Sequence, residues 1–315
     1  MKLAVIGAGP VGQTLAGRLI EGGHDVTMVE VNAELRDRLA GDGIRLSGAH
    51  ELFAPVRSIV PSIDALAGLP FEIVFVAVKA TATELVASAI GDTVRTDATV
   101  VSWQNGIDTE RALETHVAGE RIVRAVINHG VSIAESGAVT VTFEHPPHLV
   151  RELAPAGAER ARIVSVVLSG AGLATERAEN LESAVWQKSS LNAALNAICA
   201  LTGLAMHDVW HDGFAGELAR KVLKESIAVA RANEIFLGSD FYRNSLAYLS
   251  AAGNHKPSML LDREAGRRTE IDFINGKIIE YGQMAGMATP FNEALVALVK
   301  SAERSTRERT TAGES

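Results

Sequence analysis

The chain has 315 residues, 47% hydrophobic and 22% charged, which excludes a disordered protein and favours two hydrophobic cores over one. Its net charge of −8 argues against nucleic acid or an anionic membrane as a partner. One cysteine, Cys199, excludes an intramolecular disulfide, no apolar run reaches the roughly 18 residues of a membrane span, and the first residues lack the features of a signal peptide, so a cytoplasmic protein is expected.

In chain order, Lys2–Ile6 reads as a short apolar strand, followed by the glycine turn Gly7, Ala8, Gly9, Pro10, Val11, Gly12. Residues 13–21 read as a helix and Asp25–Val29 as a second strand ending at Glu30. This order is that of a dinucleotide-binding unit. Gly7 makes the tight turn, Gly9 lets a pyrophosphate approach the backbone, and Gly12 lets helix and strand pack closely. The helix N-terminus offers N–H groups to phosphate. A carboxylate at Glu30 can accept hydrogen bonds from ribose hydroxyls and would repel the extra phosphate of NADP, so NAD is favoured over NADP. Arg36 and Arg38 stand close enough in sequence to reach such a phosphate instead.

Two further apolar runs, 73–78 and 99–103, suit parallel strands covered on both faces. They end at Lys79 and at Gln104-Asn105-Gly106. Ligands of open α/β sheets bind beyond the carboxyl ends of the strands, so Gly7, Glu30, Lys79 and Asn105 are expected on one edge. Residues 121–133 and 138–144 read as further strands with a reversal near Ser136-Gly137. His145 and His148 flank paired prolines, but no third ligand stands at a recognisable spacing and no metal is expected.

From about Leu181 the periodicity is helical. Helices are predicted over 181–201, 213–233, 240–251, Ser258–Glu264, 270–285 and 290–306, with a frayed tail at 307–315. The first of them carries Lys188, Asn192 and Asn196 at i, i+4 and i+8. Four helical residues advance about 400°, so an ammonium and two amides share one face. Leu191, Ala194, Leu195, Ile198 and Leu201 fill the adjoining stripe, and Cys199 reads as a core residue. Such polar groups are costly to bury without partners, which makes them candidates for gripping a polar ligand. His207 and His211, with Asp208 and Asp212, read as solvated or capping residues. Ser258 reads as an N-cap or a binding residue, and Glu270 as a first-turn acid or a functional one. Gly276, inside a predicted helix, asks for close helix packing.

The motifs GAGPVG at 7–12, Lys79 after the fourth strand, QNG at 104–106, KSSLNAALN at 188–196 and HKPSMLLDREAGRRTEIDFING at 255–276 resemble the ketopantoate reductases (2-dehydropantoate 2-reductases). The resemblance runs from Met1 to about Ala302. It implies an α/β fold: a Rossmann-type domain over 1–178, then an all-α domain over 179–306 like that of 6-phosphogluconate dehydrogenase, with the active site in the cleft between them. It implies an oxidoreductase of pantothenate biosynthesis. In that reading Lys188 is the general acid and Glu270 orients the substrate hydroxyl. Asn192, Asn196 and Ser258 bind substrate, Asn105 touches nicotinamide and substrate, and Lys79 lines the cofactor side. NADP-using members commonly place an arginine just after the second strand, where this chain has Glu30-Val31. The expected activity is NAD(P)-dependent reduction of a 2-keto acid, ketopantoate to pantoate. The alternatives are a catabolic NAD-dependent hydroxy-acid dehydrogenase on the same scaffold and a non-catalytic dinucleotide sensor. Expected partners are a small 2-keto or hydroxy acid and at most a second copy of the chain as a homodimer, with no nucleic acid and no membrane.

Overall fold

The computed structural model describes residues 1–134 and 137–313, without the side chains of 306–313. The chain forms two compact units, Met1–Leu181 and the residues from Glu182 onward.

The first unit is built on an eight-stranded sheet. Its centre is β1 (Lys2–Ile6), flanked in parallel by β2 (Asp25–Val29) and β6 (Ile73–Val76). Beyond β6 lie β7 (Thr99–Ser102) and β8 (Ile122–Val126), also parallel. β11 (His148–Glu152) runs antiparallel to β8, and β12 (Thr175–Arg177) closes that side. Alternate residues of the central strands serve two cores. Leu3, Val5, Ile73 and Phe75 pack with Leu15 and Leu19 of α1 (Pro10–Glu21) and Leu168 of α5 (Ala158–Gly170). Ala4, Ile6, Val74 and Val76 pack with Val86 and Ile90 of α3 (Thr83–Thr93) and Leu113 of α4 (Thr109–Glu114). Each such fully buried Leu, Ile, Val or Phe contributes roughly 1.5–3 kcal/mol. Burial on both faces is the reason these strands are uninterrupted apolar runs.

Five short strands were not legible in the sequence, β11 and β12 among them. β5 (Ser58–Val60) extends the main sheet beside β2. β3 (Ile44–Gly48) and β4 (Leu52–Ala54) join β9 (His129–Ile133) and β10 (Val139–Glu144) in a separate four-stranded sheet over α1. The predicted strand 121–133 is therefore two strands in different sheets. The break follows from Asn128: its side-chain Nδ2 donates to Pro147 O at 2.7 Å and its backbone N–H to His148 Nδ1 at 2.9 Å, which takes it out of the ladder. β9 and β10 pair antiparallel, although Ser136 of the expected reversal lies outside the described residues. The runs 73–78 and 99–103 leave the ladder early, at Val76 and Ser102. Trp103 still packs edge-on against Phe75, ring centroids 6.4 Å apart.

The second unit is helical: α6 (Leu181–Thr202), α7 (Met206–His211), α8 (Ala215–Ala232), α9 (Phe241–Ser250), α10 (Ser258–Glu264), α11 (Asn275–Met284) and α12 (Pro290–Gly313). α6 is buried on nearly every side from Ala193 to Ala200. The helix predicted over 270–285 is divided. A single 3-10 turn, Ile271–Phe273, gives way at Ile274 (φ −113°, ψ −87°) to α11. Tertiary bonding explains the break: buried Asn275 donates Nδ2 to Ala193 O on α6 at 3.2 Å and to Asn292 Oδ1 on α12 at 2.9 Å. Gly276 has no close neighbour that would demand glycine, the nearest atom to an added Cβ being 3.5 Å away. Within α11 the tight glycine is Gly282, where a Cβ would lie 2.6 Å from Thr289 Cγ2. α12 continues to Gly313, through most of the segment expected to fray, because no glycine or proline stops it before that point. Among the described residues no helix is long and apolar enough to cross a membrane.

Candidate active site

In the first unit Gly7, Glu30, Lys79 and Asn105 all follow the carboxyl ends of parallel neighbours β1, β2, β6 and β7, on one edge as expected. The glycine turn is locked from several sides. Gly7 has φ +100°, and its N–H donates to Val29 O at 2.9 Å. A Cβ on Gly12 would lie 1.9 Å from Gly7 O, so only glycine permits this approach of α1 to β1. A Cβ on Gly9 would meet nothing within 4 Å, so no protein neighbour requires glycine there. α1 begins with Pro10 and has no side-chain cap, an arrangement suited to an anion. Buried Gln13, which the sequence reading passed over, donates Nε2 to Ala8 O at 2.7 Å and holds the turn from within.

Glu30 is fixed by the backbone. Its Oε2 accepts from Ala8 N–H at 3.0 Å and its Oε1 from Asn32 N–H at 2.8 Å. Asn32 in turn caps α2 (Ala33–Asp42). Arg36 donates to the carbonyls of Glu30 and Val31 at 3.0 and 2.9 Å, and Arg38 to Gly137 O at 3.1 Å. Both arginines that could have met a phosphate are thus engaged with carbonyl oxygens.

Lys79 and Asn105 are half-buried. The segments that carry them are tied together by Gln104, whose Nε2 donates to Val78 O at 2.9 Å and to Thr83 Oγ1 at 2.8 Å.

In the second unit α6 is one unbroken helix, so Lys188, Asn192 and Asn196 do share a face. Lys188 and Asn192 are half-buried, and Asn196 is buried. Glu270 is buried at the start of the 3-10 turn. Its chain neighbour is anchored, with Thr269 N–H donating to Glu303 Oε1 at 2.8 Å. Ser258 is exposed and is the first residue of α10; Pro257 occupies the N-cap and no side chain caps the helix, so the N-cap reading of Ser258 does not hold. Glu225 accepts from Phe291 and Asn292 N–H at 3.2 and 2.9 Å and so completes a buried polar chain through Asn292 and Asn275 to α6. Scattered polar residues of this kind give no periodic signal in a sequence. Cys199 is buried and its thiol is pushed up to about 12 by burial, which makes it inert. His207 and His211 stack on the surface, ring centroids 4.3 Å apart, and Asp212 accepts from Phe214 and Ala215 N–H as a capping residue.

One cluster was hidden from sequence spacing. His129, Glu144 and His148 bring ligand-type atoms within 4.8 Å of one another. The chemistry of His148 opposes a metal there. Its Nδ1 accepts from Asn128 N–H, so the neutral ring carries its proton on Nε2, 3.3 Å from Glu144 Oε1. A protonated nitrogen cannot ligate, and the pair reads as a buried structural contact that also engages His50.

Comparison with known proteins accounts for both units. The model of the family "Ketopantoate reductase PanE/ApbA" matches residues 3–149, and that of "Ketopantoate reductase PanE/ApbA C terminal" matches residues 180–303. A 2-dehydropantoate 2-reductase of Archaeoglobus fulgidus is 32% identical over 305 residues, covering 96% of this chain and 98% of the relative. Among solved structures, a 2-dehydropantoate 2-reductase from Geobacter metallireducens GS-15 superposes with a TM-score of 0.87 at 26% identity, covering 96% of this chain and 100% of the other. A D-mandelate dehydrogenase solved with NADH and anilino(oxo)acetate superposes with a TM-score of 0.88 at 25% identity, covering 98% and 99%.

Proposed function

The chain belongs to the ketopantoate reductase family, and on that premise we propose that it reduces ketopantoate to pantoate with a nicotinamide dinucleotide, Lys188 acting as the general acid. The observation that carries this reading is the line of Lys188, Asn192 and Asn196 along one face of the unbroken α6. Gly9, with open space at its Cβ position, the uncapped start of α1, and the fixed Glu30 carboxylate suit the pyrophosphate and ribose of such a cofactor.

When bound, the dinucleotide supplies a hydride to the carbonyl carbon. The carbonyl electron pair then moves onto oxygen, and the Lys188 ammonium stabilises that charge and donates its proton. The resulting amine is reprotonated from solvent. A positioned acid of this kind contributes ~10²–10⁴-fold. Glu270 accepts from the substrate hydroxyl and favours the charged form of Lys188. Asn192, Asn196 and Ser258 hold the polar groups of the keto acid, Ser258 near its carboxylate. Asn105 contacts nicotinamide and substrate, and Lys79 lines the cofactor side.

The cofactor is NAD in this reading. A carboxylate held by two backbone N–H groups keeps lone pairs for the ribose hydroxyls and repels a phosphate, and Arg36 and Arg38 each direct Nη1 at carbonyl oxygens. The same acid favours a second reading, an NAD-dependent dehydrogenase of another hydroxy acid; the D-mandelate dehydrogenase with NADH is a precedent on this fold. A panel of 2-keto acids with NADH and with NADPH tests both. The highest kcat/KM is expected for ketopantoate with NADH. NADPH as the better donor refutes the cofactor assignment, and a tenfold preference for another keto acid replaces the first reading by the second.

A further inference from the structure

Strand β8 carries an arginine where an apolar residue is expected. Arg124 is only 3% exposed, and its neighbours in the strand are all buried. Most of its partners lie at the end of β7 and in the loop and helix that follow it. Nη1 donates to Ser102 O at 3.2 Å and to Gln104 O at 2.8 Å, and Nη2 to Gly106 O at 2.9 Å. Nη1 also reaches Ala125 O. Nε pairs with Glu110 Oε2 at 3.0 Å. Burial lowers the pKa of the guanidinium and Glu110 opposes that shift, but an arginine stays charged. The bonds to Gln104 O and Gly106 O grip the backbone on either side of Asn105.

Gln104 extends the same lattice to the neighbouring strand end. Its Nε2 bonds to Val78 O and Thr83 Oγ1 stand on either side of Lys79. Its Oε1 accepts from Ser102 Oγ at 3.2 Å, and that hydroxyl lies 2.9 Å from Thr109 Oγ1. Gln104 and Ser102 are buried, as are Thr83 and Thr109. A single buried polar network therefore spans the ends of β6 and β7 and the start of α3 and α4.

We propose that Arg124 and Gln104 are positioning residues, which hold the Asn105 loop and the Lys79 loop in one fixed arrangement for hydride transfer. The proposal rests on the reading that Asn105 and Lys79 serve the reaction. Neither positioning residue need touch a ligand. A buried charge is an expensive way to satisfy two loop carbonyls and the last carbonyl of β7 if only stability is at stake, since apolar packing usually serves as well. What the guanidinium adds is a rigid fork that sets the direction of several carbonyls at once. An error of about 1 Å in placing a reacting group costs on the order of 10²-fold in rate.

The test uses the full chain and the variants Gln104→Leu, Arg124→Lys, Arg124→Met and Asn105→Ala. NADH affinity, ketopantoate KM, kcat and Tm are measured, with kinetics run well below every Tm. Gln104→Leu is expected to lower kcat at least tenfold while NADH affinity stays within threefold. Arg124→Lys is expected to retain several-fold more turnover than Arg124→Met, because an ammonium can keep one carbonyl and Glu110. If Arg124→Met does not fold, Gln104→Leu and Arg124→Lys decide the matter. Folded variants with kcat within threefold of the parent chain overturn the positioning role, as does a loss of kcat matched by equal loss of NADH affinity. Asn105→Ala separates the two levels. If Asn105→Ala is impaired and the others are not, the positioning role alone fails. If Asn105→Ala turns over normally, the underlying assignment of Asn105 fails.

Discussion

Two alanine substitutions in the glycine turn should fail for different reasons. In Gly12→Ala the new Cβ would start 1.9 Å from Gly7 O, where ordinary contact begins near 3.4 Å. Helix α1 and the turn must separate by the difference, 3.4 − 1.9 = 1.5 Å, because the atom met is backbone and no side chain can rotate away. Overpacking of this kind typically costs about 1–3 kcal/mol, and the displaced α1 also carries Leu15 and Leu19 of the core. Gly12→Ala should therefore lower the denaturation midpoint and weaken dinucleotide binding together. In Gly9→Ala the Cβ enters open space, so stability should change by less than about 0.5 kcal/mol. Binding should nonetheless fall at least tenfold, about 1.4 kcal/mol, because the methyl occupies the approach of the pyrophosphate. Urea denaturation and NADH fluorescence titration read the two quantities separately. Unchanged NADH affinity in Gly9→Ala would refute the placement of the pyrophosphate there, and unchanged stability in Gly12→Ala would refute the close approach of α1.

Other substitutions address the chemistry and the second unit. Lys188→Ala should lower kcat at least 10²-fold and leave NADH affinity nearly intact; a loss under tenfold in steady-state turnover means that another group donates the proton. Glu30→Arg should shift the ratio of kcat/KM for NADPH over NADH upward by at least tenfold, and an unmoved ratio would leave Glu30 as an organiser of the turn alone. Gly282→Ala should destabilise by about 1–3 kcal/mol, since its Cβ would meet Thr289 Cγ2 at 2.6 Å, whereas Gly276→Ala should be neutral or stabilising by up to about 1 kcal/mol in thermal melts. Cys199, buried and with its thiol pushed up to about 12, should resist a thiol reagent at pH 8 until the protein unfolds, and rapid labelling of the native protein would contradict its burial.

The strongest local signals in the chain were also the most faithful. The bounds of β1, β2 and α10 match their predicted segments because each is bounded by glycine, proline or charged residues that end the pattern. The polar line on α6 was legible because helical spacing alone puts Lys188, Asn192 and Asn196 on one face. Failures came where a distant side chain overrides local preference. Asn128 divides one apolar run into β8 and β9, and Asn275 breaks what reads as a continuous helix. Arg124 went unread, although it is a charge within the apolar run 121–133, a pattern that a strand buried on both faces tolerates only when the charge has partners. Those partners, the loop carbonyls after β7, could not be read from spacing.

The sequence by itself determined the dinucleotide turn, the parallel strands that lead to Glu30, Lys79 and Asn105, the helical second half and the polar face of α6. All of these follow from short-range periodicity and from residue types that act within a few positions of themselves. Only the tertiary structure decided which groups are already committed. It engages Arg36 and Arg38 with carbonyl oxygens and fixes both Glu30 oxygens. It sets the His148 tautomer against a metal and places Gln104 and Arg124 behind the loops that carry Lys79 and Asn105. The physical reason is that a hydrogen bond is settled by a few tenths of an ångström between residues far apart in the chain, and no local pattern encodes that distance.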